Sequence, residues 1–133
     1  MLGNAADPLK GPNNHPFRFV FIDGCNSAKS DLCTAFGIPK TQLTVKQMQD
    51  KQLQPRAFVG WSTYMLTGIG GYFNYAHLEV VKRFWELWPM TNTNVSPERP
   101  YTLKEALEQA CKEKAPPFFS KPVIYGCPDL QFR

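Results

Sequence analysis

The chain of 133 residues carries a formal charge of +4, with 43% hydrophobic and 20% charged residues, the balance of one globular domain with a single core. Its lysines and arginines are scattered rather than massed in the stripe that nucleic acid requires, and no apolar run reaches the ~18 residues that span a bilayer. The expectation is therefore no nucleic-acid and no membrane partner, and because "MLGNAADPLKGPNNHP" lacks the basic and apolar regions of a signal peptide, a cytoplasmic chain as given.

Residues 1–16 carry Gly, Pro and Asn without periodicity and read as a flexible N-terminal arm. Phe17 to Asp23 follows as a strand, apolar on both faces apart from Arg18, which suits a strand covered on both sides in a parallel sheet. Gly24 to Ser30 is a turn of small polar residues, Asp31 caps a short helix through Phe36, and Gly37 and Pro39 stop it. Residues 40–56 are rich in Gln and Lys, with only a weak apolar stripe at Leu43, Met48 and Leu53, and read as a partly helical connector.

Ala57 to Trp61 is a second short strand, after which "STYMLTGIGGYFNY" bends through three glycines as a loop beside a site. A helix spans 77–88 with Leu78, Val81, Trp85 and Trp88 at helical spacing, and Pro89 ends it. Residues 89–101 form a loop. Thr102 and Glu105 then make a capping box for a helix whose buried stripe is Leu103, Ala106, Leu107, Ala110 and Cys111. "APPFFSKP" breaks the chain before a last strand, Val123 to Gly126. Strands alternating with helices predict an α/β fold, a mostly parallel sheet with helices on both faces in three layers.

Chemistry in such sheets collects beyond the carboxyl ends of the strands, and Cys25 stands two residues past the first strand. Its two readings are a thiolate favoured by nearby amide dipoles and an inert packed thiol. A thiolate nucleophile wants a base. His15 precedes the strand, whose seven residues reach ~23 Å, so it sits at the wrong end. His77 opens the helix after the second strand and is the better candidate, although a helix N-terminus disfavours its protonated form. Ser62 in "GWSTY" is the rival nucleophile, but Tyr64 stands where the elbow G-x-S-x-G needs its second glycine. "TGIGGY" lacks both the Walker lysine and the G-x-G-x-x-G spacing. The four cysteines form no close pair and the two histidines lie in no ligand-like spacing with them, so neither a metal nor a cofactor is expected.

The stretches "FVFIDGCNSA", "LCTAFGI", "RAFVGWS", "TLKEALEQA" and "KPVIYGCPDLQF" together resemble the carboxyl-terminal half of caspase-like domains, the fold shared by caspases, gingipains, clostripain and CHAT domains. The resemblance covers residues 17–132 and is greatest to bacterial members. It implies a partial caspase-like α/β domain over 17–133 in which Cys25 is the nucleophile of a cysteine peptidase or related acyl-transfer hydrolase, with a peptide or other acyl substrate. It further implies that Gly60, Trp61 and Ser62 line the substrate pocket; Asn26, next to the thiol in sequence, is a further substrate-binding candidate. "DGCNS" differs from the caspase pentapeptide, and the family's His-Gly strand would lie upstream of the 24 residues that precede Cys25. The domain is therefore expected to be weakly active or inactive alone, to use His77 by an unusual route, or to act with a missing partner segment or as a homodimer. A non-catalytic binding or assembly module of the same fold, and an unrelated hydrolase using Cys25 or Ser62, are the alternatives.

Overall fold

Every residue of "AFVGW", 57–61, is buried, and this strand is the middle of a three-stranded sheet. The computed structural model describes residues 17–23, 26–61, 72–115 and 122–132, with the backbone alone over 72–77. In chain order these residues form β1 (Phe19–Phe21), α1 (Leu32–Ala35), α2 (Val45–Asp50), β2 (Ala57–Trp61), α3 (Tyr72–Leu87), β3 (Thr91–Asn92), β4 (Arg99–Pro100), α4 (Leu103–Lys114) and β5 (Pro122–Gly126).

β1 pairs parallel to β2 with Phe19 opposite Ala57, and β5 pairs antiparallel to β2 with Val59 opposite Ile124. The α/β class holds, but the sheet is mixed where a mostly parallel one was expected. The course of the two helices α3 and α4 over one face of the sheet explains the difference. The rings of Phe84 and Trp88 lie 5.8 and 4.7 Å from Phe19, while Phe84 alone also reaches Phe21, at 5.7 Å. α3 therefore descends against β1, and its C-terminal end lies where the strands begin. α4 starts at that same end, where Leu103 N–H donates to Leu130 O, and climbs back. Two helices return the chain to the end where β2 finished, so β5 must run down.

Alternation along the strands sorts two apolar clusters. On one face Ala57, Val59, Trp61 and Ile124 pack against Val80, Phe84, Leu87 and Trp88 of α3 and the stripe Leu103, Ala106, Leu107, Ala110 and Cys111 of α4. On the other, Phe58 meets Cys33 of α1 and Ile38, edged by Val20, Ile22 and Tyr125. The α4 stripe and its cap are as expected: Thr102 Oγ1 accepts from Glu105 N–H at 3.2 Å, and the Glu105 carboxylate accepts from Thr102 N–H at 3.1 Å. Lys112 and Lys114 in the last turn complement the dipole.

Three expectations need correction. The helix expected over 77–88 starts at Tyr72, taking in part of the expected loop. Its buried face is turned: Leu78 and Trp85 are 56% and 44% exposed, while Val80 and Phe84 are 0% exposed. Residues 80, 84, 87 and 88 also recur at helical spacing; Phe19 meets both Phe84 and Trp85, at 5.8 and 5.5 Å, and it is Phe21, 5.7 Å from Phe84, that favours this ridge. Within the expected loop 89–101, Thr91 and Asn92 pair antiparallel with Pro100 and Arg99 in a short hairpin. No described helix is long and apolar enough to cross a membrane.

Candidate active site at the carboxyl ends of β1 and β2

The parallel ladder between β1 and β2 ends in an inserted hydroxyl. Ile22 N–H donates to Val59 O at 2.9 Å in the ordinary pattern, and the next rung of a regular parallel ladder would join Trp61 N–H to Ile22 O. Instead Ser27 Oγ lies between them, accepting from Trp61 N–H at 2.9 Å and donating to Ile22 O at 3.0 Å. One residue on, Ala28 N–H donates to Trp61 O at 3.0 Å. The chain thus departs from β2 after Ile22 and rejoins it at residues 27 and 28.

The rejoining segment is fixed from several sides. Tyr125 of β5 donates its hydroxyl to Ala28 O at 3.0 Å, and Trp61 Nε1 donates to Asp23 Oδ1 at 2.9 Å. Lys29 N–H donates to Asn26 O at 3.0 Å, closing the turn. Asn26 takes φ 56°, a left-handed conformation that Asn tolerates better than most residues. Its Oδ1 is buried and has no hydrogen-bond partner among the described residues, an acceptor whose demand the turn itself leaves unmet.

Gly60 is required beneath this turn. A Cβ there would come within 2.7 Å of Ser27 Oγ and 3.0 Å of Ala28 N, so only glycine lets the turn lie down on β2. Trp61 is 1% exposed, with its ring 6.5 Å from Phe21, and its backbone N–H and C=O are both taken by the turn. Gly60 and Trp61, expected to line a substrate pocket, are therefore supports: they hold residues 23 and 26–28 in place, and the indole has no open face to offer.

The structure brings Asp23, Asn26, Ser27, Gly60 and Trp61 together at one corner. Gly24, Cys25, Ser62 and the loop of three glycines lie outside the described residues. His77 falls in α3, seven residues before Phe84 and so ~10 Å towards the carboxyl ends of the strands at ~1.5 Å per residue; its side chain is likewise outside. The other three cysteines are buried. Burial pushes the Cys33 and Cys127 thiols up from their ordinary values, and Cys127 Sγ lies 3.3 Å from Met48 Sδ. These are packed thiols, unsuited to nucleophilic work.

Sequence reasoning passed over Ser27, Asp23 and Tyr125. A serine two residues after a strand-end cysteine is an ordinary turn residue. Its role depends on a glycine 33 positions later in β2, and that pairing becomes visible only with the register. No family model, no curated protein and no solved structure matches this chain, so the functional reading rests on the corner itself.

Proposed function

We propose that this chain is the nucleophile-bearing part of a caspase-like cysteine hydrolase, with Cys25 attacking the carbonyl of a peptide or related acyl substrate. The observation that carries the reading is the departure of the chain from β2 between Ile22 and Ser27. Asp23 and residues 26–28 are fixed beyond two parallel strands, and Cys25 lies between them in the sequence. The groups that fix them are buried or bonded, so both flanks are preorganised, as a nucleophile's surroundings must be.

In the step proposed, the Cys25 thiolate forms a C–S bond to the acyl carbon. The oxyanion is held by backbone amides, the amine leaves with a proton from a general acid, and water then cleaves the thioester. The base is His77, or a histidine from a further segment. Because Ile22 N–H and Arg18 O bond to β2, alternation turns the backbone groups of Phe19 and Phe21 away from it, and β1 stands at the end of the strand order. A further strand fits on that edge, beside the exposed Leu78 and Trp85, from another segment or a second copy. The three-layer caspase-like architecture belongs to this same proposal. Without a base the rate falls by roughly two to four orders of magnitude, so the chain alone is weakly active or inactive.

The test is the pH dependence of alkylation at each cysteine, read by mass spectrometry. Cys33 and Cys127 serve as slow internal references, since burial disfavours their thiolates. A nucleophile requires Cys25 to react far faster than either near pH 6. A midpoint at or above the ordinary ~8.5 would overturn the reading and favour a non-catalytic module. In that case the self-contained bonding of Ser27 and Trp61 has a purely structural purpose.

A further inference from the structure

A cavity of about 730 Å3 opens at the opposite end of the sheet, where β1 and β2 begin; Arg18, Gln49, Gln54, Arg99, Asp129 and Gln131 are among its walls. Among the described residues its one lining carboxylate, Asp129, forms an ion pair with neither lining arginine, and only Arg56 behind the wall tips the local balance to positive. Arg99 is doubly bonded to Glu105 at 2.7 Å and contributes no free charge. Asp129 Oδ1 accepts from Val45 N–H at 2.9 Å. Arg18 donates to Gln131 O at 2.6 Å and Phe132 O at 3.1 Å, both neutral acceptors, and meets no carboxylate among the described residues.

A further cation stands behind the wall. Arg56 is 1% exposed, and it too meets no carboxylate among the described residues. It donates to Gln54 Oε1 at 3.2 Å and, at 3.5 Å, to Phe36 O, and its Nε has no partner. Ala57 N–H donates to Arg18 O at 3.1 Å, so the two arginines are neighbours across the parallel pair. Desolvation lowers the pKa of both, as expected for guanidinium groups short of a counter-ion. With its Oε1 engaged by Arg56, Gln54 keeps its amide N–H groups for the cavity it lines.

We propose that this cavity binds a small molecule through an oxyanion group, phosphate or carboxylate, held by the Arg18 guanidinium and the Gln54 amide, with Arg56 adding its charge from behind Gln54. Guanidinium forks and amide donors are what planar or tetrahedral oxyanions are recognised by. The site is distinct from the proposed active corner, being separated from it by the length of β2, and does not depend on that reading.

Calorimetric titration of the full chain with inorganic phosphate and, separately, with citrate tests this, chloride holding the ionic strength constant. Saturable binding of either probe, weakened by about tenfold or more in Arg18→Gln, is the expected result, roughly 1.4 kcal/mol for each factor of ten. Phosphate alone or citrate alone assigns the ligand's acid group. Gln54→Glu is the second variant, since it delivers a carboxylate to Arg56: it should abolish binding and raise the melting temperature without any ligand. The absence of saturable binding of both probes, or equal binding in wild type and both variants, would overturn the proposal.

Discussion

Replacing Gly60 by alanine tests whether the Ser27 hydroxyl is wedged into the end of the β1–β2 ladder. The added methyl would sit 2.7 Å from Ser27 Oγ, 3.0 Å from Ala28 N and 3.0 Å from Phe58 Cε1. None of these can retreat easily. Ser27 is 7% exposed and bonded on both sides, Ala28 N–H is tied to Trp61 O, and Phe58 is fully buried. Overpacking of this kind costs about 1–3 kcal/mol. Ser27→Ala removes the acceptor from Trp61 N–H and the donor from Ile22 O, at about 1–3 kcal/mol for groups left unbonded away from water. In the double variant the nearest clashing atom is gone, so the losses must fall short of their sum by about 1 kcal/mol, beyond the ~0.5 kcal/mol scatter of independent sites. Urea unfolding of the four proteins, with m unchanged, gives the coupling from the midpoints. Strict additivity, or a neutral Gly60→Ala, would refute the wedge.

The turned face of α3 makes a paired prediction: Phe84→Ala should cost about 3–5 kcal/mol, whereas Trp85→Ala, at 44% exposed, should cost clearly less when both are unfolded in urea. Thr102→Ala should lower stability by about 1 kcal/mol through loss of the α4 cap, and Thr102→Ser should restore most of it. Acid unfolding should also show the Arg99–Glu105 pair. The Arg99 hydrogen bonds hold the Glu105 carboxyl down at about 2, so its contribution is present above the usual carboxylate range and is lost as pH falls from there through about 2. Glu105→Gln should flatten the stability curve in that window, and 1 M salt should shrink the difference, because the pair is partly exposed to solvent.

What was legible in the sequence was what local rules govern. The α4 cap and its five buried positions follow from a capping box and a 3.6-residue period. The apolar runs at 19–22 and 57–61 follow from their composition. The buried face of α3 was not legible, because Leu78, Val81, Trp85 and Trp88 satisfy the helical period as well as Val80, Phe84, Leu87 and Trp88 do. Choosing between them needs the ring of Phe21, which meets Phe84 and comes from a strand far off in sequence. The direction of β5 was half legible: two helices between β2 and β5 imply a reversal, provided that both lie against the same sheet face, and that is a tertiary fact.

The candidate corner shows the same division. That the chain turns shortly after the first strand was legible, since this depends on local chain order; Cys25 itself lies outside the described residues. The residues that hold its neighbours were not legible, because each works across strands: Ser27 on Gly60 and Trp61, Tyr125 on Ala28, Trp61 on Asp23. This also explains why Trp61, expected at the substrate, turned out to be buried. A tryptophan at the end of a central strand is placed to cover the core, and its N–H finds Asp23 just beyond β1. Asp23 and residues 26–28, on either side of Cys25 in the sequence, are thus anchored by the core itself. Any variant that loosens Trp61 should therefore change Cys25 reactivity together with stability, whereas substitutions at Arg18 or Gln54 should leave that reactivity untouched.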